Sequence, residues 1–124
     1  MTLVDSDILI RFLRGDRAAA ARLQAVQAMD TLACSVITSF EVLRGATAAQ
    51  LEATEALIYS LVELPVTAAV AGAAAAEYRR FRSENVTLAM PDLLIGCTAR
   101  VSGASLLAGN KKHYPISGLV LLTV

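Results

Sequence analysis

Leu3-Val4-Asp5-Ser6-Asp7-Ile8-Leu9-Ile10 contains the transition that decides the fold. Thr2 to Val4 is a short apolar run of strand type, and from Asp7 to Leu13 the apolar residues recur at helical spacing. Two acids stand at the junction, where a sequence built only for packing would carry none. The same alternation of short runs and helical stretches continues outward. Gly15 and Asp16 break the first helix and cap a second over Ala18 to Met29. Thr31 to Val36 reads as a strand, Thr38 or Ser39 caps a helix to Ala46, and another helix covers Ala48 to Ser60. Val62 to Val66 is a third strand weakened by Pro65, and Thr67 opens a long helix to Ser83. Pro91 suits the first turn of a helix to Val101, and Ser105 to Ala108 and Leu119 to Thr123 are strands. Between those two strands lies a turn-rich patch with Gly109, Asn110 and Pro115.

Parallel strands need a crossover of a dozen or more residues, and each helical stretch here supplies one. The expectation is an α/β chain, one domain over residues 1–124, with three α/β/α layers and a parallel sheet of four to five short strands. Of the 124 residues, 56% are hydrophobic and 18% charged, which excludes disorder. Eleven basic residues balance eleven acidic ones, so non-specific electrostatic adhesion to nucleic acid is excluded as well. The uncharged stretch from Leu64 to Ala76 is interrupted by Pro65 and Gly72 and falls short of the roughly 20 apolar residues of a membrane span. Asp5 and Asp7 replace the basic start of a signal peptide, and Cys34 and Cys97 read as buried free thiols. These features predict a soluble, cytoplasmic protein without a membrane partner.

Most acids have ordinary explanations. Glu52, Glu55, Glu77 and Glu84 read as solvated helix faces, Asp16 and Asp30 as helix ends, and Glu63 as the outward side of an edge strand. Arg79, Arg80 and Arg82 complement the end of the long helix. Asp5, Asp7, Glu41 and Asp92 are different, because each interrupts sequence that otherwise reads as core. Singly, each also fits a helix cap. Jointly they point elsewhere. In a parallel sheet the strand carboxyl ends open on one edge, where ligands bind. Asp5 ends the first strand, Glu41 falls in the first turn after the second, and Asp92 opens a late helix that should start on the same edge. Carboxylates sharing one mouth repel unless a cation neutralises them, and oxygen-only donors favour Mg²⁺ or Mn²⁺.

Three segments carry a resemblance. They are Leu3-Val4-Asp5-Ser6-Asp7-Ile8-Leu9-Ile10, Ser35-Val36-Ile37-Thr38-Ser39-Phe40-Glu41-Val42-Leu43-Arg44-Gly45, and Met90-Pro91-Asp92-Leu93-Leu94-Ile95-Gly96-Cys97-Thr98-Ala99. In order and spacing the chain resembles PIN-domain ribonucleases, more narrowly the VapC-like toxins of VapBC toxin–antitoxin modules. The resemblance implies a PIN-like fold and a Mg²⁺- or Mn²⁺-dependent endoribonuclease acting on structured RNA such as transfer or ribosomal RNA. It implies Asp5, Glu41 and Asp92 as metal ligands and catalytic acids, with Asn110 at the fourth catalytic position. Asp7 is then either a supporting acid or the N-cap of the first helix, with the cap preferred. Arg44, Lys111 and Lys112 are candidate RNA contacts. A homodimer and a small VapB-like antitoxin are the implied partners.

Ala108 and Gly109 depart from the Thr-Arg that the family commonly carries before the position of Asn110. They leave open a PIN-like module that binds RNA or protein without catalysis. His113 reads as a turn or packing residue. A receiver-type signalling domain would need an acid after the third strand, and Leu64-Pro65-Val66-Thr67 offers none.

Overall fold

β1 (Thr2–Val4) lies at the centre of a five-stranded parallel sheet ordered β3-β2-β1-β4-β5. The computed structural model describes residues 1–124. α1 (Ser6–Leu13) and α2 (Arg17–Gln27) lead to β2 (Leu32–Ser35), and α3 (Val36–Arg44) and α4 (Leu51–Tyr59) lead to β3 (Val62–Leu64). α5 (Ala68–Ser83) and α6 (Met90–Val101) carry the chain back across β1 to β4 (Ser105–Ala108). A single 3₁₀ turn (Lys111–His113) precedes β5 (Leu121–Thr123).

Side chains alternate between the two faces of each strand, and the core divides accordingly. Val4, Leu32 and Leu107 pack with Ile8, Leu9, Leu23 and Val26 of α1 and α2. Their neighbours Leu3, Ala33 and Leu106 pack with Ile95 and Ala99 of α6 on the other face. This alternation produces the expected three layers. The inner strands β1 and β2 are buried throughout, whereas β3 and β5 form partly exposed edges.

Several element boundaries differ from the sequence reading. α3 begins at Val36, because Ser35 accepts from Ile37 N at 3.1 Å and is the cap; Thr38 and Ser39 lie buried inside the helix. Glu41 consequently stands in the second turn of α3, not the first. Asp5 caps α1, so Asp7 is not its N-cap and occupies the second helical position. β3 stops at Leu64, one residue before Pro65.

Glu77 does not lie on a solvated helix face. Glu77 is 6% exposed, on the buried stripe Val70, Ala74, Glu77 and Phe81 of α5. Its Oε2 accepts from Arg80 at 2.6 Å and its Oε1 from Arg100 at 2.7 Å, and Arg100 also donates to Ser117 O at 3.1 Å. Burial pushes the Glu77 carboxyl up, but the bonds from Arg100 and Arg80 outweigh it and hold the group below its ordinary value.

Candidate active site

The sheet reverses its direction of growth at β1, whose crossover leads to β2 on one side while β4 joins it on the other. The carboxyl ends of β1 and β4 therefore flank a switch point, the usual place for a ligand in an open α/β sheet. Asp5 follows β1, and Gly109 and Asn110 follow β4.

Asp5 is 4% exposed, and both of its oxygens are engaged. Oδ1 accepts from Ile8 N at 3.1 Å and Oδ2 from Gly109 N at 3.1 Å, while the Tyr114 hydroxyl approaches Oδ2 at 3.5 Å. One carboxylate thus caps α1 and ties the two central strands together. Burial raises its pKa, the two backbone bonds oppose that, and repulsion from Asp7 and Asp92 adds to the rise.

Glu41 reaches the same mouth from α3. Its Oε1 accepts from Ser6 Oγ at 2.6 Å, and its Oε2 lies 3.9 Å from Arg44 Nη2. Asp92 stands in the first turn of α6, where Ala89 is the N-cap and contributes no side-chain bond. Burial raises the Asp92 pKa, His113 counteracts, and Glu41 raises it further. Tyr114, 3% exposed, lies within the field of all three acids: burial lifts its pKa first, then Asp5, Asp92 and Glu41.

The fold therefore brings Asp5, Glu41 and Asp92 into one electrostatic cluster around a buried phenol. Neither Asp5 nor Asp92 has an ion-pair partner, and Arg44 with Glu41 forms the single salt bridge of the mouth. No three Asp, Glu, His or Cys side chains lie close enough together to make a ready-made metal shell. Mg²⁺ does not require one, since it is commonly held by one or two carboxylates plus water and substrate phosphate. Oxygen donors carrying uncompensated charge fit such an ion.

The remaining residues fall around this cluster. Asp7 is exposed and presses against Gly109, where an added Cβ would lie 2.9 Å from Asp7 Cγ and nearer still to Oδ2. A side chain at 109 would have to displace the Asp7 carboxylate from its place beside Asp5. Asn110 is exposed and caps the 3₁₀ turn, its Oδ1 accepting from Lys112 N at 3.0 Å. Lys111, Lys112 and His113 make up that turn and are exposed. His113 meets the Tyr114 ring edge-on, with centroids 6.5 Å apart. Sequence reasoning missed Ser6 and Tyr114. The signal was position alone, Ser6 between two singled-out acids and Tyr114 directly after Lys-Lys-His.

Comparison with known proteins gives a concordant picture. A family model described as "PIN domain" matches residues 2–119. Ribonuclease VapC19 of Mycobacterium tuberculosis is 35% identical over 117 residues, 94% of each chain. A toxin–antitoxin complex from Klebsiella pneumoniae contains a chain 28% identical, with a TM-score of 0.80 over 97% of this chain and 96% of that one. VapBC2 from Rickettsia felis, bound to a DNA fragment from its promoter, matches with a TM-score of 0.85 at 17% identity, over 99% and 98% of the two chains. At that identity the last likeness concerns the fold alone.

Proposed function

Because the chain belongs to the PIN-domain family, we propose that it is an endoribonuclease that hydrolyses RNA phosphodiesters at Asp5, Glu41 and Asp92 with the aid of Mg²⁺ or Mn²⁺. The observation that carries this reading is geometric: Asp5 follows β1, Glu41 of α3 is bonded to Ser6 beside it, and neither Asp5 nor Asp92 has a cation within salt-bridge distance. Likeness to a protein named a ribonuclease over 94% of the chain supplies the reaction class. A bound divalent ion would polarise the scissile phosphate and ease deprotonation of an attacking water.

The chain's own residues have separable tasks. Asp5 and Asp92 would hold the ion, Asp5 being fixed in advance by Ile8 N and Gly109 N. Ser6 immobilises one oxygen of Glu41 and leaves Oε2 to orient water. Asp7, beside Gly109, would support Asp5 from the rim. Arg44, Lys111 and Lys112 are exposed around the mouth and suited to RNA phosphates, which position a substrate without reading its sequence. Asn110 spends its oxygen on the cap, so its amide nitrogen is the part left for substrate.

The same reading makes the chain the toxin of a toxin–antitoxin pair, a cytoplasmic homodimer neutralised by a small VapB-like antitoxin and acting on structured RNA such as transfer or ribosomal RNA. Its support is that similar solved structures are described as VapBC and toxin–antitoxin complexes. No helix is long and apolar enough to cross a membrane.

The test is cleavage of total RNA with Mg²⁺ or Mn²⁺. Wild type should cleave, chelation should stop it, and Asp92→Asn should lose on the order of a hundredfold, the scale of removing one electrostatic stabiliser of a transition state. Equal cleavage by both proteins would sink the assignment. A folded wild type that does not cleave would favour the non-catalytic binding module, to which the Ala108-Gly109 departure from the family's Thr-Arg points.

A further inference from the structure

Phe40 directly precedes Glu41 on α3 and is 61% exposed, with Tyr59 one of the two most exposed phenylalanine and tyrosine rings of the chain. Its ring is not bare on every side. The Arg44 guanidinium lies over it, with Cζ 5.3 Å from the ring centroid, within the range of a cation–π contact. The same guanidinium approaches Glu41 Oε2 at 3.9 Å. One cation therefore bridges an exposed ring and an acid of the site.

We infer that Phe40 and Arg44 form a stacking platform for an unpaired nucleobase next to the scissile phosphate, a subsite that rests on the ribonuclease reading above. A nucleotide satisfies both halves of the pair. Its base offers a flat face to the ring, and its phosphate offers an anion to the guanidinium once that leaves Glu41. Recognition of single-stranded RNA commonly combines aromatic and arginine planes in this way. An apolar peptide side chain would cover the ring but leave Arg44 on Glu41 and its charge unused, so charge complementarity favours the nucleotide. The platform also selects substrate form, because a base must leave a paired helix before it can lie on the ring.

The test separates binding from cleavage. In an Asp92→Asn background, affinity is measured for a single-stranded RNA of mixed sequence and for copies carrying one abasic residue at successive positions. Phe40→Ala should weaken the intact RNA about tenfold, within the usual range for losing one base–aromatic stack. Phe40→Trp should bind within about twofold of the parent. One abasic position should weaken binding to the parent and have no further effect in Phe40→Ala, which a merely structural role would not produce.

Equal affinity of the Phe40→Ala and parent proteins would overturn the platform. So would a Phe40→Ala protein that keeps its RNA affinity but changes its oligomeric state or its binding to an antitoxin-type partner, since the ring would then be a protein contact. If the protein with Asp92 intact cleaves RNA while Phe40→Ala has no effect on binding, the platform fails and the ribonuclease reading stands. If the protein with Asp92 intact neither binds nor cleaves RNA, both fail.

Discussion

Ser6 is bonded to Glu41, thirty-five residues away, although its sequence neighbours are the acids Asp5 and Asp7. A hydrogen bond to a charged group contributes about 1.5–3 kcal/mol, and partial exposure places this one toward the lower value. Ser6→Ala should fold normally and cleave RNA about tenfold more slowly, read as an initial rate under saturating metal. Asp92 carries the opposite expectation for stability. Burial raises its pKa more than the attraction of His113 lowers it, so Asp92→Asn should melt slightly above wild type in metal-free buffer while losing cleavage. A lower melting temperature in calorimetry would contradict that. At this scale the acids were legible, because a carboxylate inside an apolar run has no packing reason to be there. The hydroxyls were not, since serine and tyrosine suit caps, turns and cores equally. The cap of α1 falls on Asp5, two residues before the preferred Asp7, so the acid proposed for the site is also the one that starts the helix.

α5 and α6 are joined by an ionic cluster that helix periodicity alone did not reveal. The stripe Val70, Ala74, Glu77 and Phe81 follows helical spacing and places Glu77 on the inner face, so the signal was present but overridden by its charge. What the sequence withheld was Arg100, twenty-three residues on, which makes a buried glutamate tolerable. Removing one member of such a cluster leaves the others desolvated without compensation. Glu77→Ala should therefore destabilise the protein by about 2 kcal/mol in urea titration, below the usual cost of a fully buried pair because Arg80 is 43% exposed. The pH dependence has a definite sign. Because the folded Glu77 carboxyl sits below its ordinary value of 4.5, its contribution is complete above pH 4.5 and is lost as pH falls through the lower folded value. Wild type should lose stability more steeply than Glu77→Gln in that acidic window, and parallel curves would refute the linkage.

The order β3-β2-β1-β4-β5 is a property of the whole chain, and only part of it was legible. Alternating short runs and helices dictated parallel strands, but no local pattern says that the first strand takes the centre. Its burial shows only that β1 is an inner strand, as β2 is too; its central place comes from pairing with β2 on one side and β4 on the other. Since β1 pairs with strands from both halves of the chain, unfolding should be a single transition by circular dichroism and tyrosine fluorescence alike. The bond from Gly109 N to Asp5 Oδ2 spans 104 residues. On the ribosome, where roughly 5–20 residues are added each second, Gly109 follows Asp5 by about 5–20 s. A nascent chain thus carries Asp5 and Glu41 for several seconds, and Asp92 for about 1–3 s, before the backbone that fixes Asp5 has been made. Chains stalled with β4 still inside the exit tunnel should leave RNA intact, whereas the same chains once released should cut it. The proposed nuclease would thus stay inert until β4 has been made.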